Sequence, residues 1–115
     1  MEVRFDKKFY NGEPDEFDDH CKAAFGKKMA RLIARRLSHV KNVKSLADLM
    51  MQGFPGRWHW LTGDRRHQIS ADLEHPRRLI FVPGHPQEDF KEENGSLNGK
   101  KITNLIAIEI ADTHS

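Results

Sequence analysis

One cysteine, Cys21, is all the thiol chemistry available to this chain of 115 residues. That excludes an internal disulfide framework and any thiolate zinc site, and it fits a reducing compartment. Long apolar runs are missing too. No stretch approaches the roughly 20 residues that a membrane-spanning helix needs, and residues 1–8 contain no apolar segment of the kind that directs secretion. The expectation is a soluble cytoplasmic protein with no membrane partner. Internal repeats, glycine-rich phosphate loops and the Gly-x-Ser-x-Gly nucleophile signature are also absent. A chain this long forms a single domain, residues 1–115, that removes about two-thirds of its unfolded surface from water. Two Trp, seven Phe and a hydrophobic content of 37% are enough for a core.

Charge is present in an uneven pattern. Residues 1–19 carry three basic and seven acidic side chains, residues 20–84 thirteen and four, and residues 85–115 three and six, so net charges of −4, +9 and −3 make up the overall +2. Eight of the thirteen central cations are Arg, whose planar fork suits phosphate. A solvated helix face and a sheet edge explain the same charges without any ligand.

The hydrophobic period changes midway along the chain. After a short strand at Val3 and Phe5 and a break at Asn11-Gly12 and Pro14, acidic residues from Asp15 or Glu16 open a helical region that Gly26 interrupts. Met29, Leu32, Ile33, Leu37 and Val40 then recur at helical spacing, with Lys27, Lys28, Arg31, Arg35 and Arg36 assigned to the outer face. Ser45 caps a further short helical segment ending near Gly53. Strand period follows at residues 58–61, 68–73, 78–82 and 102–110, with Ile106, Ile108 and Ile110 assigned to one face. The polar stretch 85–101 reads as a long, mobile loop. Helices followed by strands predict an α+β domain in which N-terminal helices pack on one face of a small, mainly antiparallel sheet.

Seven histidines are many for this length. No pair has the three- to five-residue spacing of a helical or finger site, so no metal is expected. What remains is a metal-free kit for RNA cleavage: His59 within residues 56–64, Arg65 and Arg66 in the next turn, Arg78 opening a strand, and Asp112 and His114 at the C-terminal end. Imidazole can move protons near neutral pH, and guanidinium can stabilise a phosphorane. Each residue also has an ordinary role. His59 fits a half-buried strand, Arg77 and Arg78 can solubilise an edge strand, and Trp58 and Trp60 fit a core or a partner contact.

Four runs together resemble HigB-type toxins of the RelE/ParE superfamily. They are the run from Phe25 to Asp48, His59-Trp-Leu-Thr-Gly-Asp-Arg65, Arg78-Leu-Ile-Phe-Val-Pro83 and Ile108-Glu-Ile-Ala-Asp-Thr-His114. The resemblance spans about residues 17–114. It implies a RelE/ParE-like fold, metal- and cofactor-free cleavage of mRNA on the translating ribosome, and neutralisation by a helix-turn-helix antitoxin of the HigA type. Operator DNA would be reached only through that antitoxin. On this resemblance His59, Arg78, Asp112 and His114 are the catalytic set. His59 and His114 move protons, Arg78 stabilises the phosphorane, and Asp112 orients a histidine or the RNA. Arg57, Arg65, Arg66, Arg77, Thr62 and Thr113 face RNA. Thr62 stands where many members have Lys and Thr113 where Tyr is common, and Arg65 or Arg66 would supply the missing charge. Two alternatives stay open: a ParE-like toxin that binds DNA gyrase without catalysis, and an inactive module that binds an antitoxin.

Overall fold

In the computed structural model, residues 1–112 are described. β1 (Glu2–Phe5) is followed by three helices, α1 (Phe17–Phe25), α2 (Lys27–Lys41) and α3 (Leu46–Leu49), and then by β2 (His59–Trp60), β3 (Ile69–Asp72), β4 (Arg77–Pro83) and β5 (Asn104–Asp112). The strands form one sheet in the order β1-β5-β4-β3-β2. The β2–β3, β3–β4 and β4–β5 pairs are antiparallel, whereas β1 lies parallel to β5. β1 and β2 therefore occupy opposite edges, and the helices between them cross one face of the sheet. No helix among the described residues is long and apolar enough to cross a membrane.

Local chemistry accounts for the helices. α1 begins with Asp18 and Asp19 in its first turn, where carboxylates suit the helix dipole. It ends at Gly26, whose φ of 89° is costly for any residue with a Cβ. α2 buries Met29, Ala30, Ile33, Leu37 and Val40, and these meet Ile69, Ala71, Leu79, Phe81, Leu105 and Ala107 of the sheet in one core. Burying an Ile or Met in this way contributes about 2 kcal/mol. α3 opens with Asp48 Oδ2 accepting from the amides of Lys44 (3.0 Å) and Ser45 (3.3 Å), and it stops at Leu49 instead of continuing toward Gly53.

Three sequence expectations change. Arg36 is not on the outer face of α2. It is 9% exposed, and its Nε donates to the carbonyl of Asp72 at 2.7 Å. Position 36 lies three residues after Ile33 and four before Val40, on the margin of the apolar stripe, so its stem packs inward. The shared face of Ile106, Ile108 and Ile110 is also lost. The ladder pairs Ile80 with Glu109 but Phe81 with Ala107, which leaves Ile108 as the extra residue of a bulge. Leu105, Ala107 and Ile110 consequently meet the core, and Ile106 and Ile108 do not. Finally, residues 85–101 fold back as a strap. Phe90 is 3% exposed and stacks on Trp60, Lys91 bridges Leu97, and the Asn98 amide donates to the Phe90 carbonyl at 2.8 Å. Phe90 and Leu97 are the apolar residues that seat this otherwise polar segment on the core.

Candidate functional site

The sheet face away from the helices holds the polar residues. Ile69, Ala71, Leu79 and Phe81 point to the core, so strand alternation turns Ser70, Asp72, Arg78 and Ile80 the other way. Register then aligns His59, Ser70, Ile80 and Glu109 in one row across four strands, with Asp72, Arg78 and Ala111 in a neighbouring row. His59 and Arg78 are two strands and two residues apart, about 12 Å between Cα atoms from standard strand spacings. Side chains leaning along the strands can approach a common ligand across that gap.

His59 is oriented by its own chain. Its Nδ1 lies 2.8 Å from the carbonyl of Arg57. A carbonyl can only accept, so in the neutral ring Nδ1 carries the hydrogen and Nε2 keeps its lone pair. Nε2 is buried with no hydrogen-bond partner among the described residues. Arg57 sits at φ 50°, an uncommon conformation for a residue with a side chain, and directly follows Gly56 at φ 108°. A Cβ on Gly56 would fall 2.8 Å from Trp58 Nε1 and 3.0 Å from Arg36 Nε, so only glycine fits this bend.

Arg78 is 9% exposed, and its Nη1 donates to Asp72 Oδ1 at 2.7 Å. Its Nε is buried without a partner among the described residues. Asp72 Oδ2 is 3.9 Å from Arg57 Nη1, the Asp72 amide donates to the Gly56 carbonyl at 2.8 Å, and the Asp72 carbonyl accepts from Arg36. Burial and the neighbouring Arg35 push the Arg36 guanidinium below its ordinary pKa, and Asp72 partly offsets them. One carboxylate thus sits among three guanidinium groups, leaving the cluster positive.

Among the described residues, five buried side-chain polar atoms lack a partner, and three of them, His59 Nε2, Ser70 Oγ and Arg78 Nε, lie on this face. Buried polar groups are ordinarily satisfied, so their concentration here marks a place built for something other than packing.

The remaining sequence candidates divide. Arg65 donates from Nη1 to Gln68 Oε1 at 3.0 Å and pairs with Glu109, so its charge is already answered. Thr62 and Arg66 are exposed on the β2–β3 turn. Arg77 reaches Glu74 at 3.6 Å. Asp112 stands opposite Arg77, whereas Arg78 stands opposite Ala111, so alternation sets Asp112 on the other side of the sheet from Arg78. Thr113 and His114 lie outside the described residues. Asp72, Ser70 and Arg36 had not been singled out from sequence. The signal for the first two was a polar period, Ser70 and Asp72 alternating with Ile69, Ala71 and Leu73, just before a short turn to Arg78.

No family model matches the chain, and a search of curated proteins finds no match. Solved structures do match. The fold is similar to a YoeB/ParE toxin from Agrobacterium tumefaciens, with a TM-score of 0.59 and 11% identity over 99% of this chain and 100% of that one. It is also similar to a chain of a YoeB-YefM complex from Staphylococcus aureus, with a TM-score of 0.51 and 15% identity over 100% of this chain and 98% of that one. The protein therefore has the α+β fold of YoeB/ParE toxins, with helices on one face of a five-stranded mixed sheet.

Proposed function

We propose that this protein is the toxin of a type II toxin–antitoxin pair, of the HigB kind, and that it cleaves mRNA on the translating ribosome without a metal. The observation that carries this reading is the group of polar atoms on the helix-free face that are buried without a partner among the described residues, with His59 Nε2 and Arg78 Nε among them. In the proposed step His59 Nε2 takes the proton from a ribose 2′-hydroxyl, and the resulting oxygen attacks the adjacent phosphorus. Arg78 neutralises the charge that grows on the phosphorane oxygens, where a positioned cation acts most strongly. The P–O5′ bond breaks, the 5′-oxygen leaves with a proton, and the products are a 2′,3′-cyclic phosphate and a 5′-hydroxyl. His114 is the proposed donor of that proton. Both nitrogens on the sheet lie below the solvent surface, so RNA must displace what covers them.

The antitoxin is proposed to be a helix-turn-helix protein that meets operator DNA itself. One structural relative is a chain of a YoeB-YefM complex, which agrees with a partnered toxin. A second reading, a toxin of this fold that binds DNA gyrase without catalysis, is favoured by two features. Asp112 is set on the opposite side of the sheet from Arg78, and Arg65 is neutralised by Glu109.

Induced expression with mapping of mRNA 5′ ends separates the two. The nuclease reading expects growth arrest and new ends, both lost in His59→Ala, Arg78→Ala and His114→Ala. General acid–base groups contribute about 10²–10⁴-fold and a positioned charge stabiliser about 10²–10³-fold, so each loss should be near complete. Arrest that survives all three changes, with no new ends, would reject nuclease activity and leave the gyrase reading.

A further inference from the structure

Asp72 makes connections of two kinds on the helix-free face. The backbone ones fasten three elements. Its amide reaches Gly56 at 2.8 Å in the bend before β2, and its carbonyl takes the Arg36 Nε from α2 at 2.7 Å. The side-chain ones hold guanidinium groups, with Oδ1 on Arg78 Nη1 at 2.7 Å and Oδ2 3.9 Å from Arg57 Nη1. A guanidinium offers two forks, one end-on through Nη1 and Nη2 and one side-on through Nε and Nη2. With Nη1 occupied by Asp72, the side-on fork is the one left for another anion. Its Nε is the atom that is buried without a partner among the described residues. The Arg78 side chain is 11% exposed and that of Arg57 74%, so the first is a fixed cation and the second a movable one.

We propose that Asp72 is the positioning residue of this site: its carboxylate fixes the Arg78 guanidinium so that the Nε/Nη2 fork faces the scissile phosphate, and keeps Arg57 within reach of the same group. The proposal rests on the RNA-cleavage reading for its chemistry. The orientation of Arg78 can be measured without any activity.

The fold anchors of Asp72 are backbone atoms, so Asp72→Asn removes the charge and keeps the links to Gly56 and Arg36. In ¹⁵N spectra of the full chain, the Arg78 Nε–H signal is identified by its disappearance in Arg78→Lys. Asp72→Asn should shift that signal and merge the separate Nη resonances, while amide signals of α1 and α2 stay in place. An unmoved Arg78 signal would overturn the proposal. If Asp72→Asn fails to fold, Asp72→Glu serves in the same spectrum, where a shifted Arg78 signal supports the assignment and an unmoved one rejects it.

In cleavage of ribosome-bound mRNA, a misaimed cation is felt at the transition state. Asp72→Asn should lower kcat about tenfold or more with KM changed by no more than about threefold, and Asp72→Glu should recover part of the loss. Loss confined to KM, or a rate within about twofold of wild type, would overturn the positioning role. If wild type cuts no mRNA, the cleavage reading fails and the Arg78 signal alone decides whether Asp72 holds the guanidinium.

Discussion

The two faces of this sheet obey opposite rules. Toward the helices, Leu79, Phe81, Ile69, Ala71, Leu105 and Ala107 are completely buried, and the helical layer supplies matching apolar groups. On the other face a comparable depth of burial holds a histidine nitrogen, a serine hydroxyl and an arginine nitrogen with no partner among the described residues. Leaving such atoms unsatisfied costs about 1–3 kcal/mol each, so the apolar face must offset what the polar one gives up. A strand of alternating character does both tasks at once, and a change on either face should therefore have an opposite signature.

The largest effect belongs to the apolar face. Phe81 is fully buried and packs on Trp58 with ring centroids 5.3 Å apart, so Phe81→Ala should destabilise the chain by about 3–5 kcal/mol. His59→Ala, two strands away on the other face, should leave the urea midpoint almost unchanged while removing activity. Equilibrium unfolding of both variants tests the contrast. Equal destabilisation would mean that His59 is a packing residue and the asymmetry is false.

A smaller effect is expected where the faces are tied together. Gly56→Ala puts a Cβ 2.8 Å from Trp58 Nε1 and 3.0 Å from Arg36 Nε at a φ of 108°. Strain of this kind costs about 1–3 kcal/mol. The contact also pushes Arg36 away from the Asp72 carbonyl, so the proposed cleavage should fall with stability, unlike in His59→Ala. Retained stability with full activity would show that the Gly56 bend is not what fixes Asp72.

How much of this was legible follows from what each pattern can encode. The period of Met29, Ile33, Leu37 and Val40 identified α2 and its buried stripe, and the alternation of Ile69, Ala71 and Leu73 identified β3 and its inner face. Period alone cannot see a bulge. Isoleucines at 106, 108 and 110 read as one face because each is apolar, and only the ladder reveals the skipped pairing at Ile108. Charge pattern misled at Arg36, where a cation at the stripe margin is held inward by a carbonyl 36 residues away. His59 and Arg78 stand out in the sequence because their chemistry is scarce and specific, and strand register sets both on the helix-free face. Asp72 was missed because a lone carboxylate in a strand has no meaning until the register puts Arg78 opposite it.

The helical layer offers the mildest test of the comparison. Cys21 is 1% exposed on α1, and burial, aided by the nearby Asp18 carboxylate, raises its thiol to about 11. It is a thiol that burial keeps protonated well past its ordinary range. A folded pKa above the unfolded one means that the unfolded chain gives up this proton first as the pH rises. Stability linked to Cys21 is therefore complete below the unfolded thiol's range and declines as the pH climbs toward 11. A shift of this size corresponds to roughly 3 kcal/mol. Comparing unfolding free energies of wild type and Cys21→Ala between about pH 8 and 11 cancels the lysine and tyrosine titrations common to both. The wild-type advantage should shrink steadily across that window. A constant difference would mean that water reaches the thiol, and the helical layer would then be no drier than the polar face it is set against.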